Sequence, residues 1–360
     1  MTSPWPATVV GTLPEPVFGA LRVHRPVRAL SASSGGTMDF QMLDRARCRG
    51  SLLGAVVGDC LGAPFEGTPG LMSVDEWARF EQDDSPLAYT DDSAMTIAFA
   101  ESLVRVNGID EDDLASTFAQ HWADAPALGY SARTAELLGR IRSGTPWQDA
   151  HRGDGRASNG AAMRVAPAAL YAVGRVDLTI ELATRSALVT HRHPGAVAGA
   201  RVQAAAVATA LRHCRDVPIV AGDFVCAVRV ASTDPVLSER LDLAAALSAR
   251  GDAAEINERI GCGLLANESV PAAICAFLSH PASFPDAVAL AVRLGSDTDT
   301  VASMTAAISG ALLGEAAVPA RWIARAQCGE KVRRLADALH VASPDAYLVA
   351  RHSVRMSPWR

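Results

Sequence analysis

Gly50, Gly54, Gly58 and Gly62 recur every fourth residue through an otherwise apolar stretch. At 3.6 residues per turn that spacing puts all four along one face of a helix, predicted here over residues 43–61. Each glycine costs a helix interior about 1 kcal/mol relative to alanine. A stripe of four is therefore kept for something that must come close to the backbone: a second helix, or a ligand. Aromatic content is only 5%, alanine and leucine abound, and β-branched alternation is scarce. These features together predict an all-α fold. Further helices are expected over residues 93–105, 112–122, 131–142, 178–188, 195–213, 224–231, 238–249, 253–260, 267–277, 284–293, 301–313 and 328–339. Residues 68–86, rich in Pro, Gly and Asp, read as a loop.

The 360 residues are 49% hydrophobic and 20% charged, enough to bury one large core. A formal charge of −6 leaves no basic face, and the longest basic cluster is Lys331-Val332-Arg333-Arg334, so nucleic acid is not an expected partner. Apolar runs fall short of the roughly eighteen residues that span a bilayer. The seven cysteines are scattered and never spaced Cys-x-x-Cys, which argues against a disulfide framework or zinc knuckle and for a reducing cytoplasm. The proline-bearing residues 1–38 are expected to form a flexible extension, with Met38 a candidate start. Residues 39–340 are expected to form one domain, with a C-terminal tail over 341–360; the chain is taken as a monomer.

Two acidic knots carry the chemistry. Gly295-Ser296-Asp297-Thr298-Asp299-Thr300 and Tyr89-Thr90-Asp91-Asp92-Ser93 each precede a helical pattern. One Asp there is usually a helix cap. Two knots of carboxylates and hydroxyls also offer the hard oxygen ligands that Mg²⁺ and Mn²⁺ prefer. Asp297-Thr298-Asp299-Thr300-Val301 also matches the D-x-D-x-T/V nucleophile motif of haloacid-dehalogenase-type phosphohydrolases. Those enzymes, however, carry it after a strand, whereas Ala289-Leu290-Ala291-Val292-Arg293 reads as a helix end. The Gly-rich segment from His151 to Gly160 opens onto a helical pattern and offers backbone N–H groups to an anion such as a diphosphate. His191-Arg192-His193 lacks a third zinc ligand at suitable spacing, so a substrate contact or a cap is the better reading.

Five motifs occur in an order similar to that of the ADP-ribosylglycohydrolase family, which includes the dinitrogenase reductase-activating glycohydrolase and the ADP-ribosyl-acceptor hydrolases. They are Gly58-Asp59-Cys60-Leu61-Gly62-Ala63-Pro64-Phe65-Glu66, Tyr89 to Met95, Ser158-Asn159-Gly160-Ala161-Ala162-Met163-Arg164, Thr190-His191-x-His193-Pro194 and Gly295 to Thr300. The resemblance spans residues 43–314. It implies an orthogonal helical bundle with two Mg²⁺ or Mn²⁺ ions in a central cleft, which removes ADP-ribose from modified side chains or related conjugates by attack of water at the anomeric carbon. It further implies metal ligands at Thr90, Asp91, Asp92, Asp297, Asp299 and Thr300, and an acidic group beside the metals at Glu66. Catalytic roles would fall to Glu66, Asp92 and Asp299. Substrate contacts would come from Gly129, Tyr130, Ser131, Gly155, Arg156, Ala157, Ser158, Asn159, Gly160, Met163 and His191. The family's Gly-Tyr-Gly turn is here Gly129-Tyr130-Ser131, and Arg156-Ala157-Ser158 is an unusual diphosphate loop. A non-catalytic ADP-ribose binder of the same family is the alternative.

Overall fold

The computed structural model describes residues 36–67, 71–173, 175–214, 216–326 and 329–343. Among them are seventeen α-helices and three short 3₁₀ turns, with no strand; the extended pairing is the isolated bridge of Ser158 with Leu265. The expected 1–38 extension lies outside the described residues except at its end, since the first helix already begins at Gly36. Most of the 341–360 tail also lies outside them.

The glycine stripe decides the architecture. The helix Gly36–Gly62 runs along Thr298–Leu313 with the two backbones in contact. A Cβ at Gly54 would sit 2.5 Å from the Ala306 carbonyl oxygen, and those at Gly58 and Gly62 would overlap the carbonyls of Ala302 and Thr298. Gly310, on the partner helix, meets the Gly50 carbonyl in the same way. Packing against a helix, not a ligand, is therefore what the stripe serves. Ser51 donates to the Ala307 carbonyl at 2.9 Å and Thr298 to the Gly62 carbonyl at 2.8 Å, fixing the register near both ends of the contact.

Thr298–Leu313 is buried from Thr298 to Leu312. Its other sides are covered by Phe284–Arg293, Ala266–Ser279 and Pro194–Arg212. Alanine-rich surfaces make this possible, because small side chains let several helices surround one. Most expected helices match to within a few residues. The two after the acidic knots begin earlier than expected, at Asp91 and Thr298. That places carboxylates inside the first helical turns.

Residues 68–86 are not simply a loop. Val74–Gln82 is helical, opened by a capping box in which Glu76 N donates to Ser73 Oγ at 3.2 Å and Ser73 N donates to the Glu76 carboxylate at 2.8 Å. The Ser-x-x-Glu spelling was its signal. Trp77 buries edge-on against Trp322, ring centroids 6.0 Å apart. Trp147–Ala150 and Ala320–Arg325 are further short helices that periodicity did not reveal, and the helix expected directly after Gly160 begins only at Ala166, as Ala166–Tyr171, beyond the 3₁₀ turn Asn159–Ala161.

Replacing Gly58 by Ala should gain about 1 kcal/mol of helix propensity yet lose more to the Ala302 backbone, since overpacking costs roughly 1–3 kcal/mol and here nothing flexible can yield. Denaturant unfolding should show net destabilisation. Gly222→Ala is the control: it is helical with open space around it, and should be neutral or stabilising.

Candidate active site

The first acidic knot is held by a carboxylate that sequence reasoning assigned no role. Asp59, fully buried on the glycine helix, accepts from Thr90 N at 3.0 Å, Thr90 Oγ1 at 2.9 Å and Ser93 N at 3.0 Å, and from the Ser93 hydroxyl. The Thr90 hydroxyl in turn accepts from Asp92 N at 3.2 Å and caps the helix Asp91–Val106. Because Thr90 performs the capping, the carboxylates of Asp91 and Asp92 are left for other work.

The second knot is built on a tight turn. Gly295 and Ser296 both have positive φ, at 78° and 61°, a conformation rare for serine and kept where surrounding structure demands it. Ser296 O accepts from Gly67 N at 2.9 Å, and Asp297 N donates to Cys262 O at 3.2 Å. Asp297 is the N-cap residue of Thr298–Leu313, but its side chain makes no capping bond. Its Oδ2 instead accepts from Asn159 Nδ2 at 2.5 Å, and Asn159 also donates to Ser269 Oγ at 3.1 Å. A helix, Phe284–Arg293, precedes the turn, so the setting of a phosphohydrolase nucleophile is missing.

The knots converge because the glycine contact brings Gly62 against Asp299 and the 3₁₀ turn Ala63–Phe65 carries Glu66 onward to the rim. One ligand atom each of Glu66, Asp297 and Asp299 lies within 4.8 Å of the others. Asp92 Oδ2 and Asp299 Oδ1 are buried without any hydrogen-bond partner, a costly arrangement for an acceptor unless a cation completes it. Burial and the neighbouring Asp299 push Asp92 and Asp297 well above the usual carboxylate range. Burial, together with nearby carboxylates, also raises Asp59 and Asp91, each to about 7. This set of oxygen donors, at the positive ends of two helices, fits divalent cations of the Mg²⁺ or Mn²⁺ type.

A cavity of about 420 Å³ opens beside the carboxylates. Of the sequence-predicted residues, Glu66, Asp91, Asp92, Asp297, Asp299, Thr300, Gly129, Ser131, Gly155, Arg156, Ser158, Asn159, Gly160, Met163 and His191 line it. Thr90, Tyr130 and Ala157 do not line it. Thr90 is engaged with Asp59, and the Tyr130 hydroxyl is buried without a partner, its pKa raised by burial and by Asp91. Asn159 is occupied in holding Asp297. Met95, Arg133, Thr134, Asp154, Thr190, Leu264 and Leu265 join the wall unforeseen. The Gly-rich loop is shaped by Arg133, whose guanidinium donates to the carbonyls of Arg152 and Gly153 at 2.7 and 2.9 Å. Its far end is pinned by Asn159 N to Leu264 O at 3.0 Å and Ala266 N to Ala157 O at 2.8 Å. These tertiary bonds carry no local sequence signature.

A carboxyl whose pKa is higher folded than unfolded holds its proton more tightly in the folded chain. Its contribution is favourable below the unfolded value near 3.9 and is lost as pH rises towards 7 for Asp59 and Asp91. Carboxylates held low, such as Glu101 at about 2 beside His121 and Lys331, weaken the fold only in stronger acid. Chelator-treated protein should therefore melt at a higher temperature near pH 5.5 than near pH 8. Added Mg²⁺ should raise the melting temperature most at the higher pH, where its ligands are already ionised.

Comparison with known proteins agrees with this architecture. Residues 41–348 match the family model described as ADP-ribosylglycohydrolase. The chain is 32% identical over 338 residues to ADP-ribosylhydrolase ARH3 of Xenopus tropicalis, covering 81% of this chain and 95% of that one. It is 31% identical over 338 residues to the Homo sapiens protein of the same name, covering 82% and 93%. A solved ADP-ribosylglycohydrolase-related protein complex superposes with a TM-score of 0.67 at 27% identity, covering 84% of this chain and 99% of that chain. The chain thus belongs to the ADP-ribosylglycohydrolase family and is a glycosidic-bond hydrolase.

Proposed function

We propose that this protein is a metal-dependent hydrolase that frees ADP-ribose from modified protein side chains or related conjugates by directing water to the anomeric carbon. The observation that carries the reading is the pair of partnerless oxygens, Asp92 Oδ2 and Asp299 Oδ1, buried at the inner wall of a cavity large enough for a sugar and its diphosphate. Thr90, Asp91, Asp92, Asp297, Asp299 and Thr300 would hold two divalent cations. When bound, such ions supply Lewis acidity towards vicinal ribose hydroxyls and towards water.

The chain's own groups do the rest. Glu66 stands at the rim with its pKa raised by desolvation and by Asp299, suited to taking a proton from the attacking water. Asp92 and Asp299, anchored in first helical turns, are held rigidly and act as ligands, not nucleophiles. The 155–160 loop, apart from the Asn159 N–H that Leu264 O accepts, offers backbone N–H groups to the diphosphate, and Arg156, exposed at the mouth, adds a cation there. Gly129, whose φ is 95°, lets the 129–131 turn pass close to Asp91 and border the ribose. We further place the enzyme in the cytoplasm as a monomer, in keeping with thiols such as Cys262 and Cys275 that are not in disulfides.

Purified protein with Mg²⁺, incubated with ADP-ribosylated arginine and serine peptides and with O-acetyl-ADP-ribose, should release ADP-ribose from at least one. Release from none would end the proposal. Asp297→Ala and Asp299→Ala should abolish turnover and Mn²⁺ binding by calorimetry while keeping the helical circular dichroism. Asp59→Asn, which alters the acceptor of Thr90 and Ser93 behind the knot, should weaken metal binding roughly 10–100-fold.

A further inference from the structure

Arg164 is fully buried, yet its charge answers no carboxylate at hydrogen-bond distance among the described residues. Its guanidinium lies 4.5 Å from the Phe118 ring centroid. One terminal nitrogen donates to Gly160 O at 2.9 Å; the other donates to Ser186 O at 3.0 Å and to Thr190 Oγ1 at 2.7 Å. It therefore ties the Gly-rich turn to the end of the helix Val176–Leu188, the two segments that meet at the cavity wall.

Thr190 Oγ1 also lies 2.7 Å from His191 Nδ1. Since Arg164 can only donate, it occupies an acceptor position on that hydroxyl. A ring N–H could use the second lone pair, but no other acceptor for the hydroxyl proton lies at hydrogen-bond distance among the described residues, so that proton goes to Nδ1 and the ring proton sits on Nε2. The Nε2 edge faces the Gly160 backbone, where a Cβ would come within 2.9 Å of it, and His191 lines the cavity.

We propose that Arg164 and Thr190 are positioning residues that hold His191 as a neutral Nε2–H donor directed at the substrate, and that Gly160 is glycine to leave that edge uncovered. The assignment rests on the substrate reading given above. Burial and the adjacent Arg164, with His151 and Arg133 also nearby, push the His191 pKa down to about 3. The ring is therefore neutral near physiological pH, as an Nε2–H donor requires.

Ring nitrogens of ¹⁵N-histidine-labelled protein report the tautomer directly, with the His191 signals identified by their loss in His191→Gln. The native ring should show a protonated Nε2 and an unprotonated Nδ1. Thr190→Val, which keeps the shape and removes the hydroxyl, should give a mixture of tautomers and raise KM for the ADP-ribosylated peptide about tenfold with kcat little changed. Thr190→Ser should restore both. A protonated Nδ1 in the native protein, or an unchanged ring in Thr190→Val, would overturn the assignment. If the wild type hydrolyses no ADP-ribose conjugate, the functional reading fails while the ring spectrum still decides the tautomer. Arg164 itself is too deeply buried to be the first variant; Arg164→Lys should loosen the ring in the same direction.

Discussion

Backbone-to-backbone contact between Gly36–Gly62 and Thr298–Leu313 is the constraint from which the site follows. Helices normally pack with axes 8–10 Å apart, separated by side chains. Here Gly50, Gly54, Gly58 and Gly310 remove those side chains, so the carbonyl of one helix occupies the space where the other would carry a Cβ. At its end, Gly62 lies against Asp299, and Thr298 donates to the Gly62 carbonyl. A shift of one helical turn would move Asp297 and Asp299 by about 5 Å and separate them from Glu66. The glycines trade helix propensity for register, and register makes the carboxylate cluster.

That cluster works against folding. Asp59, Asp92, Asp297 and Asp299 are all nearly inaccessible to solvent, with Asp91 half-buried beside them. Like charges at such depth raise one another's pKa values and disfavour ionisation. Several fixed dipoles offset part of the cost: the N-termini of Asp91–Val106 and Thr298–Leu313, the Thr90 and Ser93 donors on Asp59, and the Asn159 amide on Asp297. What remains uncompensated is localised on Asp92 Oδ2 and Asp299 Oδ1. Donors are thus supplied to Asp59 and Asp297, while Asp92 and Asp299 each keep a buried oxygen without one, the feature that a bound cation would complete.

The opposite wall is organised by cations instead. Arg164 joins Gly160 to Thr190 from beneath, and Arg133 gathers the carbonyls of Arg152 and Gly153 from outside. Neither guanidinium is spent on an ion pair within that wall. Both set the shape of a loop whose Asn159 N–H is bound to the Leu264 carbonyl, while Arg156 stands exposed beside the cavity. The cavity lining thus combines the carboxylates of both knots with the guanidinium groups of Arg133 and Arg156.

Local spacing alone was enough for the four-residue glycine period, most of the helical periodicities, and the carboxylates gathered at 91–92 and 297–299. Those are properties of one turn or one helix face, and neighbouring residues suffice to express them. Tertiary structure alone decided what depends on residues far apart in the chain. Asp59 became the anchor of Thr90 and Ser93; Asn159, on the cavity wall, also became the support of Asp297; and Thr90, Tyr130 and Ala157 fell outside the cavity wall while Arg133, Thr190, Leu264 and Leu265 entered it. A hydrogen-bond partner separated by more than a hundred residues leaves no periodic mark in the sequence, because its position is set by how the helices pack and not by the residues beside it.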